Sequence, residues 1–400
     1  MRDELPPGVR LLAGVARPSA EPWPPFAPPA LDFLSALSGL VMARAGAARQ
    51  EELAAFGFWC RRAHLDALAQ RHASQRPRLG RGLLLHLAPS NVPAIFGYSY
   101  AIGLLAGNAG IVRLSSRRGA SEDALCEMIG QTLDRPEFAA VKVRSAFVSY
   151  ERDDSITEAL LAGCDGRLVW GGDQTVSAVR RLAMPPHAVE VCFADRWSFA
   201  LLSRKTVAGL DGEALAGWAH HFYNDAFLMD QNACSSPQIV VWLRDGGNEA
   251  GRRRWWQAVA KEAASRYPAD AYRAVRKQER FCLAAMDAQP APVARLERYG
   301  GSLVQVARLA SLPDGPVACK GGFGLFFECE AERPEQLLPM LGPKVQTVVC
   351  GGVEPARLAR LFAEGHARGA DRVVPLGQAL AMDTVWDGHD LIAELSRCMG

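Results

Sequence analysis

Apolar residues recur every three or four positions across residues 31–74, with few breakers, a spacing that predicts helix. Beyond them the pattern changes. Short apolar runs at 82–87, 109–114, 145–150, 167–170, 188–191 and 199–202 read as strands. Helical stretches fall between them, beginning near 92, covering 121–133 and 155–162, and reaching 182. Alternation at this interval predicts βαβ units and a mostly parallel sheet, with right-handed crossovers placing helices on both faces. A second lobe begins near residue 206. It reads as a helix at 210–224, a strand at 238–242, two charged helices within 249–285, strands at 303–306, 324–328 and 345–349, and a helix at 354–367. The expected class is α/β, two lobes each with a mostly parallel sheet flanked by helices.

Composition narrows this picture. Residues 6–29 carry eight of the 25 prolines, which predicts an extended N-terminal arm. The longest apolar run, 92–109, is interrupted by Pro93, Gly97, Gly103, Gly107 and Asn108, so it reads as a buried helix and its exit turn, not a membrane span. A net charge of +2 gives no pull toward nucleic acid. The ten cysteines stand singly, without the Cys-x-x-Cys spacing of a zinc site or redox dithiol. With no charged-then-apolar leader pattern, the expectation is reduced thiols in the cytoplasm.

Cys234 is the candidate nucleophile. It lies in the polar turn 229–237, which runs into the apolar strand at 238–242. A thiol at such a turn projects toward a cleft, where a thiolate can attack; the alternative is a small buried hydrophobe. A doubly wound sheet also suggests a nucleotide at its strand ends. The Gly-x-Gly-x-x-Gly and P-loop fingerprints are both missing. Trp170-Gly171-Gly172 ends a strand and opens a helix, where backbone approaches a pyrophosphate closely, or where Asp173 simply caps an ordinary turn. Arg113, Ser115, Ser116, Arg117 and Arg118 follow a strand that ends without an acid for ribose hydroxyls. That basic, hydroxylated segment suits a 2′-phosphate and favours NADPH over NADH; a solvated loop is the alternative.

Taken in order, these segments resemble the aldehyde dehydrogenase superfamily, most closely its LuxC-type acyl-CoA reductase branch, over about residues 80–397. Residues 88–93, with Asn91, are similar to the Pro-Trp-Asn-x-Pro turn; Val189-Glu190-Val191 falls where a Glu-Leu-Gly-Gly strand lies; Gln231-Asn232-Ala233-Cys234 is similar to the Gly-Gln-x-Cys turn. Ser236-Pro237-Gln238, residues 371–377 and Trp386-Asp387-Gly388 look LuxC-like. The chain departs from the pattern at Ser90, Ser235, Cys192 and Phe193.

The resemblance implies an aldehyde-dehydrogenase-like fold, with the active site in the cleft between the lobes. It divides the chain into an arm (1–30), a dinucleotide-binding domain (31–205), a catalytic domain (206–370) and a C-terminal segment packing back on the core (371–400). It implies Cys234 as nucleophile, Asn91 as oxyanion donor, Glu190 as base and Glu328 as the carboxylate on the nicotinamide ribose. The implied reaction is NADPH-dependent reduction of an acyl thioester, carried by coenzyme A or an acyl carrier protein, to an aldehyde. A homo-oligomer is expected by analogy. Two rival readings compete. In the first, Ser99 within Gly97-Tyr98-Ser99-Tyr100-Ala101 serves an acyl-thioester hydrolase or transferase. In the second, a non-catalytic subunit docks an acyl carrier through Arg252-Arg253-Arg254 with Arg273, Arg276, Lys277 and Arg280; a solvated helical face is the simpler account of that run.

Overall fold

The computed structural model describes residues 5–48, 50–89, 94–286, 292–313 and 319–400. The chain forms two compact units, Met1–Ala194 with Met382–Gly400, and Asp195–Ala381.

In the first unit the strands are β1 (Arg10–Gly14), β2 (Arg78–Gly80), β3 (Leu83–Leu87), β4 (Ala109–Leu114), β5 (Ser145–Ser149), β6 (Gly166–Trp170) and β7 (Val189–Phe193). Six of them form one sheet in the order β1-β5-β4-β3-β6-β7, parallel except for β1. Helices Ile95–Leu105 and Ala120–Leu133 bury apolar faces beside it. β5 and β6 are buried throughout, as expected of parallel strands covered on both faces, even at Ser145, Ser149 and Arg167. The sheet grows outward from β3 in both directions, so its topological switch point lies between β3 and β6. Ligands bind in the crevice beyond the carboxyl ends of strands at such a point. The loops that leave those ends begin at Ala88 and Gly171.

The proline-rich arm is more structured than its composition suggests. β1 pairs antiparallel with β5, Arg10 opposite Ser149, and the first helix already starts at Pro28. β1 is an edge strand with an exposed start, so it shows no apolar alternation to read. The helical region beyond it breaks into Pro28–Ala48, Glu51–Trp59 and Arg62–Arg71.

The second unit holds β8 (Trp197–Ser203), β9 (Pro237–Leu243), β10 (Val293–Tyr299), β11 (Val304–Leu309), β12 (Leu325–Ala331), β13 (Val345–Gly351) and β14 (Arg372–Pro375). Their order is β10-β11-β12-β9-β8-β13-β14, parallel except for the β10–β11 pair. Residues 199–202, expected to finish the first lobe, sit inside this sheet. Phe199 pairs with Ile239 of β9 and with Val348 of β13. A buried apolar run announces a strand without saying which sheet it joins. The C-terminal segment divides as well: β14 extends the second sheet, whereas Ser396–Cys398 pairs with β2 in the first unit. Among the described residues no helix is long and apolar enough to cross a membrane.

Helix Glu249–Arg266 buries Arg252, Trp255, Trp256, Val259, Ala260 and Ala263, one stripe at three- and four-residue spacing. Arg252 therefore enters the core. It donates to Glu328 at 2.9 Å, Glu297 at 2.8 Å and Glu249 at 2.8 Å. Glu328 receives Trp242 Nε1 at 2.8 Å and Trp256 Nε1 at 2.5 Å on its other oxygen. Arg252 thus faces inward, while Arg253 and Arg254 are exposed. Arg273 binds Asp230, Arg276 binds Glu279, and Lys277 donates to the carbonyls of Ser302 and Leu303. Part of the cationic patch invoked by the carrier-docking reading is therefore spent on structure.

Helix Gly212–Ala226 is tied to the chain beyond β14. The Asp225 carboxylate accepts the Gly377 amide at 2.6 Å and the Ala379 amide at 2.8 Å. Burial is the largest influence on Asp225 and pushes its carboxyl up to about 7, against the lowering effect of the two amides. Its folded-state pKa is raised, so its contribution to stability is full below the unfolded value and declines as pH rises through about 7. The stability gap between wild type and Asp225→Asn should be widest near pH 4 and narrow by up to about 4 kcal/mol toward pH 7. Denaturant titrations across that range check this; a gap independent of pH contradicts it.

Candidate active site

Helix Gly212–Ala226 ends, and the chain must turn to enter β9. It does so through Asp230 and Gln231, both left-handed, with φ of 51° and 57°. Such backbone costs about 1–3 kcal/mol per non-glycine residue and persists only where surrounding bonds over-determine it. They do so here. The Asp230 carboxylate holds Arg273 at 2.9 Å and the Tyr267 hydroxyl, and its carbonyl accepts Phe323 N at 3.2 Å. The Gln231 amide donates to the Ala226 carbonyl at 2.8 Å.

Cys234 follows on this turn, half-buried, at the N-terminal end of β9. Its carbonyl accepts the Ser198 hydroxyl at 2.7 Å, and Ser198 accepts the Thr347 amide at 3.0 Å. The starts of β8, β9 and β13 are thereby joined around the cysteine. Arg280 donates to Asn232 at 2.9 Å and to the Gly321 carbonyl, bracing the outer side. Seven other thiols are held protonated by burial, whereas Cys282 and Cys398 lie exposed. Burial pushes Cys126, Cys192 and Cys319 up to about 11, Cys164 and Cys350 up to about 12, and Cys60 and Cys329 upward too. A thiol held protonated is a poor nucleophile. Sequence reading singled out Cys234 but missed Ser198, Gln231 and Arg280 as its supports. Only their place in the fold reveals those roles.

Glu328, expected on a cofactor ribose, is 1% exposed and enclosed by Arg252, Trp242 and Trp256. Burial pushes its carboxyl up and the Arg252 charge opposes that shift. Both oxygens are used by protein donors, so Glu328 is a core ion-pair residue and not a ribose ligand.

Glu190 is likewise engaged. On β7 it accepts Arg180 Nε at 2.7 Å on one oxygen and Arg167 Nε at 2.7 Å on the other. Burial pulls its carboxyl upward, but the two guanidinium groups outweigh it and hold Glu190 below the usual range. A carboxylate stabilised in its charged form is a weak proton acceptor. Its geometry is that of an ion pair, not of a base. Asn91 lies outside the described residues.

The groups expected to hold a nucleotide occupy the carboxyl ends of β4 and β6, the two strands that flank β3 in the first unit. Gly172, not Asp173, is the cap of helix Asp173–Arg180, and Asp173 falls in its first turn. A Cβ on Gly172 would meet nothing within 4 Å, so open space adjoins the first amides of the helix. Near the end of β4, Arg113 packs over the Tyr150 ring and donates to the Tyr150 carbonyl at 3.2 Å; beyond the strand, Arg118 binds Asp123 and Ser149. Ser115 accepts the Arg117 amide at 3.1 Å and shapes the bend. The Ser116 and Arg117 side chains are exposed. Of the three arginines of this segment, Arg117 is the exposed one.

Ser99 is fully buried. It hydrogen-bonds His86 Nδ1 at 2.8 Å and receives Trp170 Nε1 at 3.0 Å. Burial holds His86 down to about 3. The pair resembles a nucleophile and base only on paper; enclosed within a helix, Ser99 meets no substrate, and the hydrolase reading fails.

Comparison with known proteins agrees with this arrangement. The profile of the acyl-CoA reductase (LuxC) family matches residues 58–271. A long-chain acyl-protein thioester reductase of Vibrio harveyi is 30% identical over 167 residues, 41% of this chain and 33% of that protein. The chain thus matches about a third of the length of this curated relative. Among solved structures, an aldehyde dehydrogenase, KauB, from Pseudomonas aeruginosa superposes with a TM-score of 0.61 at 12% identity, covering 87% of this chain and 76% of that one. A putative aldehyde dehydrogenase from Burkholderia cenocepacia gives 0.54 at 17% identity, covering 87% and 76%. Proline utilization A of Bradyrhizobium japonicum, as a mutant, gives 0.62 at 14% identity, covering 92% and 42%. The fold is that of the aldehyde dehydrogenases, and the chain belongs to the LuxC acyl-CoA reductase family.

Proposed function

We propose that this chain reduces an acyl thioester, carried by coenzyme A or an acyl carrier protein, to an aldehyde, using NADPH and an S-acyl intermediate on Cys234. The observation that carries the reading is the Cys234 turn: a half-buried thiol on strained, fully braced backbone at the start of a central strand. Membership of the LuxC family supports the reaction class, as does the thioester reductase named for the Vibrio harveyi relative.

The Cys234 thiolate attacks the thioester carbonyl, forming a C–S bond. The carrier thiolate leaves and takes up a proton, and the acyl group stays on Cys234. The developing oxyanion needs fixed donors, for which we assign the Cys234 backbone N–H and the Asn91 side-chain amide. Bound NADPH would supply a hydride to the acyl carbon. Cys234 is then the leaving group as the aldehyde carbonyl re-forms, which restores the thiolate. Arg117 and Ser116 would hold the 2′-phosphate, and Gly171 and Gly172 would let the pyrophosphate approach the helix start. Glu190 takes no proton in this scheme, because its ion pairs hold it charged.

Cys234→Ala should abolish reduction with NADPH affinity unchanged. Wild type incubated with acyl-CoA, without NADPH, should gain one acyl adduct on Cys234 by peptide mass spectrometry; an adduct elsewhere contradicts the assignment. Asn91→Ala should lower turnover on the order of a hundredfold with little change in cofactor affinity. Arg117→Ala should weaken NADPH about tenfold and leave NADH nearly untouched, with rising salt reproducing the difference; calorimetric titration measures both. Glu190→Gln should lower stability by about 2 kcal/mol, since Arg167 loses its buried partner, while adduct formation on Cys234 proceeds at the wild-type rate.

A further inference from the structure

We infer that Gln231 and Gln238 are positioning residues for Cys234, two buried amides that staple the neck of its turn and so aim the thiol for acyl transfer. The acyl-transfer part rests on the proposed function; the stapling rests on the geometry alone. In the Gly-Gln-x-Cys pattern, as it aligns with this chain, the place of glycine falls on Gln231. Glycine enters left-handed backbone without steric penalty and glutamine does not. Gln231 nevertheless has a φ of 57°. The side chain that glycine lacks is fully used. Its Oε1 accepts Gly324 N at 2.9 Å, and its Nε2 donates to the carbonyls of Leu325 at 3.0 Å and Pro237 at 3.3 Å.

Gln238 completes the staple from the other side. Its Nε2 donates to the Gln231 carbonyl at 2.6 Å and to the Ser236 carbonyl at 3.3 Å. The two side chains thus bond across the neck of the loop in both directions, Gln231 to Pro237 and Gln238 back to Gln231. Residues 232–236, with Cys234 in the middle, are enclosed between them. Gln231 and Gln238 are 1% and 3% exposed, so water does not replace a lost bond cheaply. Gln231 also ties the loop to the start of β12 through Gly324 and Leu325. A chain with glycine at this position would keep the turn's backbone and lose these bonds to Pro237, Gly324 and Leu325. Gln238 Oε1 is buried without a partner among the described residues. Its polarity therefore gains nothing from that oxygen, and the retained amide is accounted for by the two bonds its nitrogen makes.

Two substitutions in the full chain separate positioning from mere folding. Gln231→Gly keeps the left-handed preference and deletes the staple. Gln238→Met keeps the volume and deletes the amide. The measurements are S-acylation of Cys234 by an acyl-CoA without cofactor, alkylation of Cys234 by iodoacetamide, NADPH affinity and Tm. We expect acylation to fall on the order of a hundredfold. Alkylation, which needs access and not aim, should be no slower than in wild type, and NADPH affinity should not change. Acylation at the wild-type rate in both variants overturns the inference. So does a parallel loss of acylation and alkylation with a lowered Tm, which marks a structural role only. If one variant fails to fold, Gln238→Leu decides in the same assays, because it keeps most of the volume and has no group to donate to the Gln231 carbonyl. A wild-type chain that no acyl-CoA acylates overturns the proposed function instead. Hydrogen exchange of the 232–236 amides then still judges the staple, which is refuted if both variants match wild type.

Discussion

A buried polar group must find a partner, and that requirement shapes the second unit around Cys234. The chain leaves helix Gly212–Ala226 and enters β9 with its carbonyls and amides already below the surface. Two left-handed residues make the turn tight enough. Side chains from β8, from the turn itself and from helix Ala271–Met286 then satisfy what is left open: Ser198 on the Cys234 carbonyl, Gln231 on Gly324 and Leu325, Arg280 on Asn232 and Gly321. The turn that carries the cysteine is held by these bonds, since moving it would leave buried donors and acceptors without partners.

The same requirement explains residues that look chemical and are architectural. Arg252, Glu328 and Glu297 form a charged cluster beneath helix Glu249–Arg266, with the indole N–H groups of Trp242 and Trp256 filling the remaining acceptor capacity of Glu328. In low dielectric, an unpaired member of such a cluster would cost several kcal/mol, so each acid has its donors. Glu190 repeats the theme at smaller scale, closed by Arg167 and Arg180. Ser99 and His86 repeat it without charge.

What remains uncommitted is correspondingly informative. In the first unit, Gly172 faces open space and the Ser116 and Arg117 side chains are exposed, at the carboxyl ends of β6 and β4. Parallel strands bring those ends to one edge of the sheet, where helix N-termini also gather, and that is the physical basis on which the proposed nucleotide site rests. Arg113 and Arg118 share the same segment but are already bonded to Tyr150, Asp123 and Ser149.

The sequence by itself determined the α/β class, most strands and helices, and Cys234 as the thiol to watch. Those rest on local signals: apolar periodicity, strand-helix alternation and a polar turn before a strand. It also carried the ordered motifs by which the family is known. Tertiary structure alone decided that residues 199–202 belong to the second sheet, that β1 joins the arm to β5, and which charged groups are spent on one another. Strand partners and ion pairs join residues far apart in the chain, Glu328 with Arg252, Ser198 with Cys234, and no local pattern records them. A carboxylate in the sequence is only a charge; whether it is a base, a ligand or half of a buried pair is set by what the fold brings within 3 Å of it.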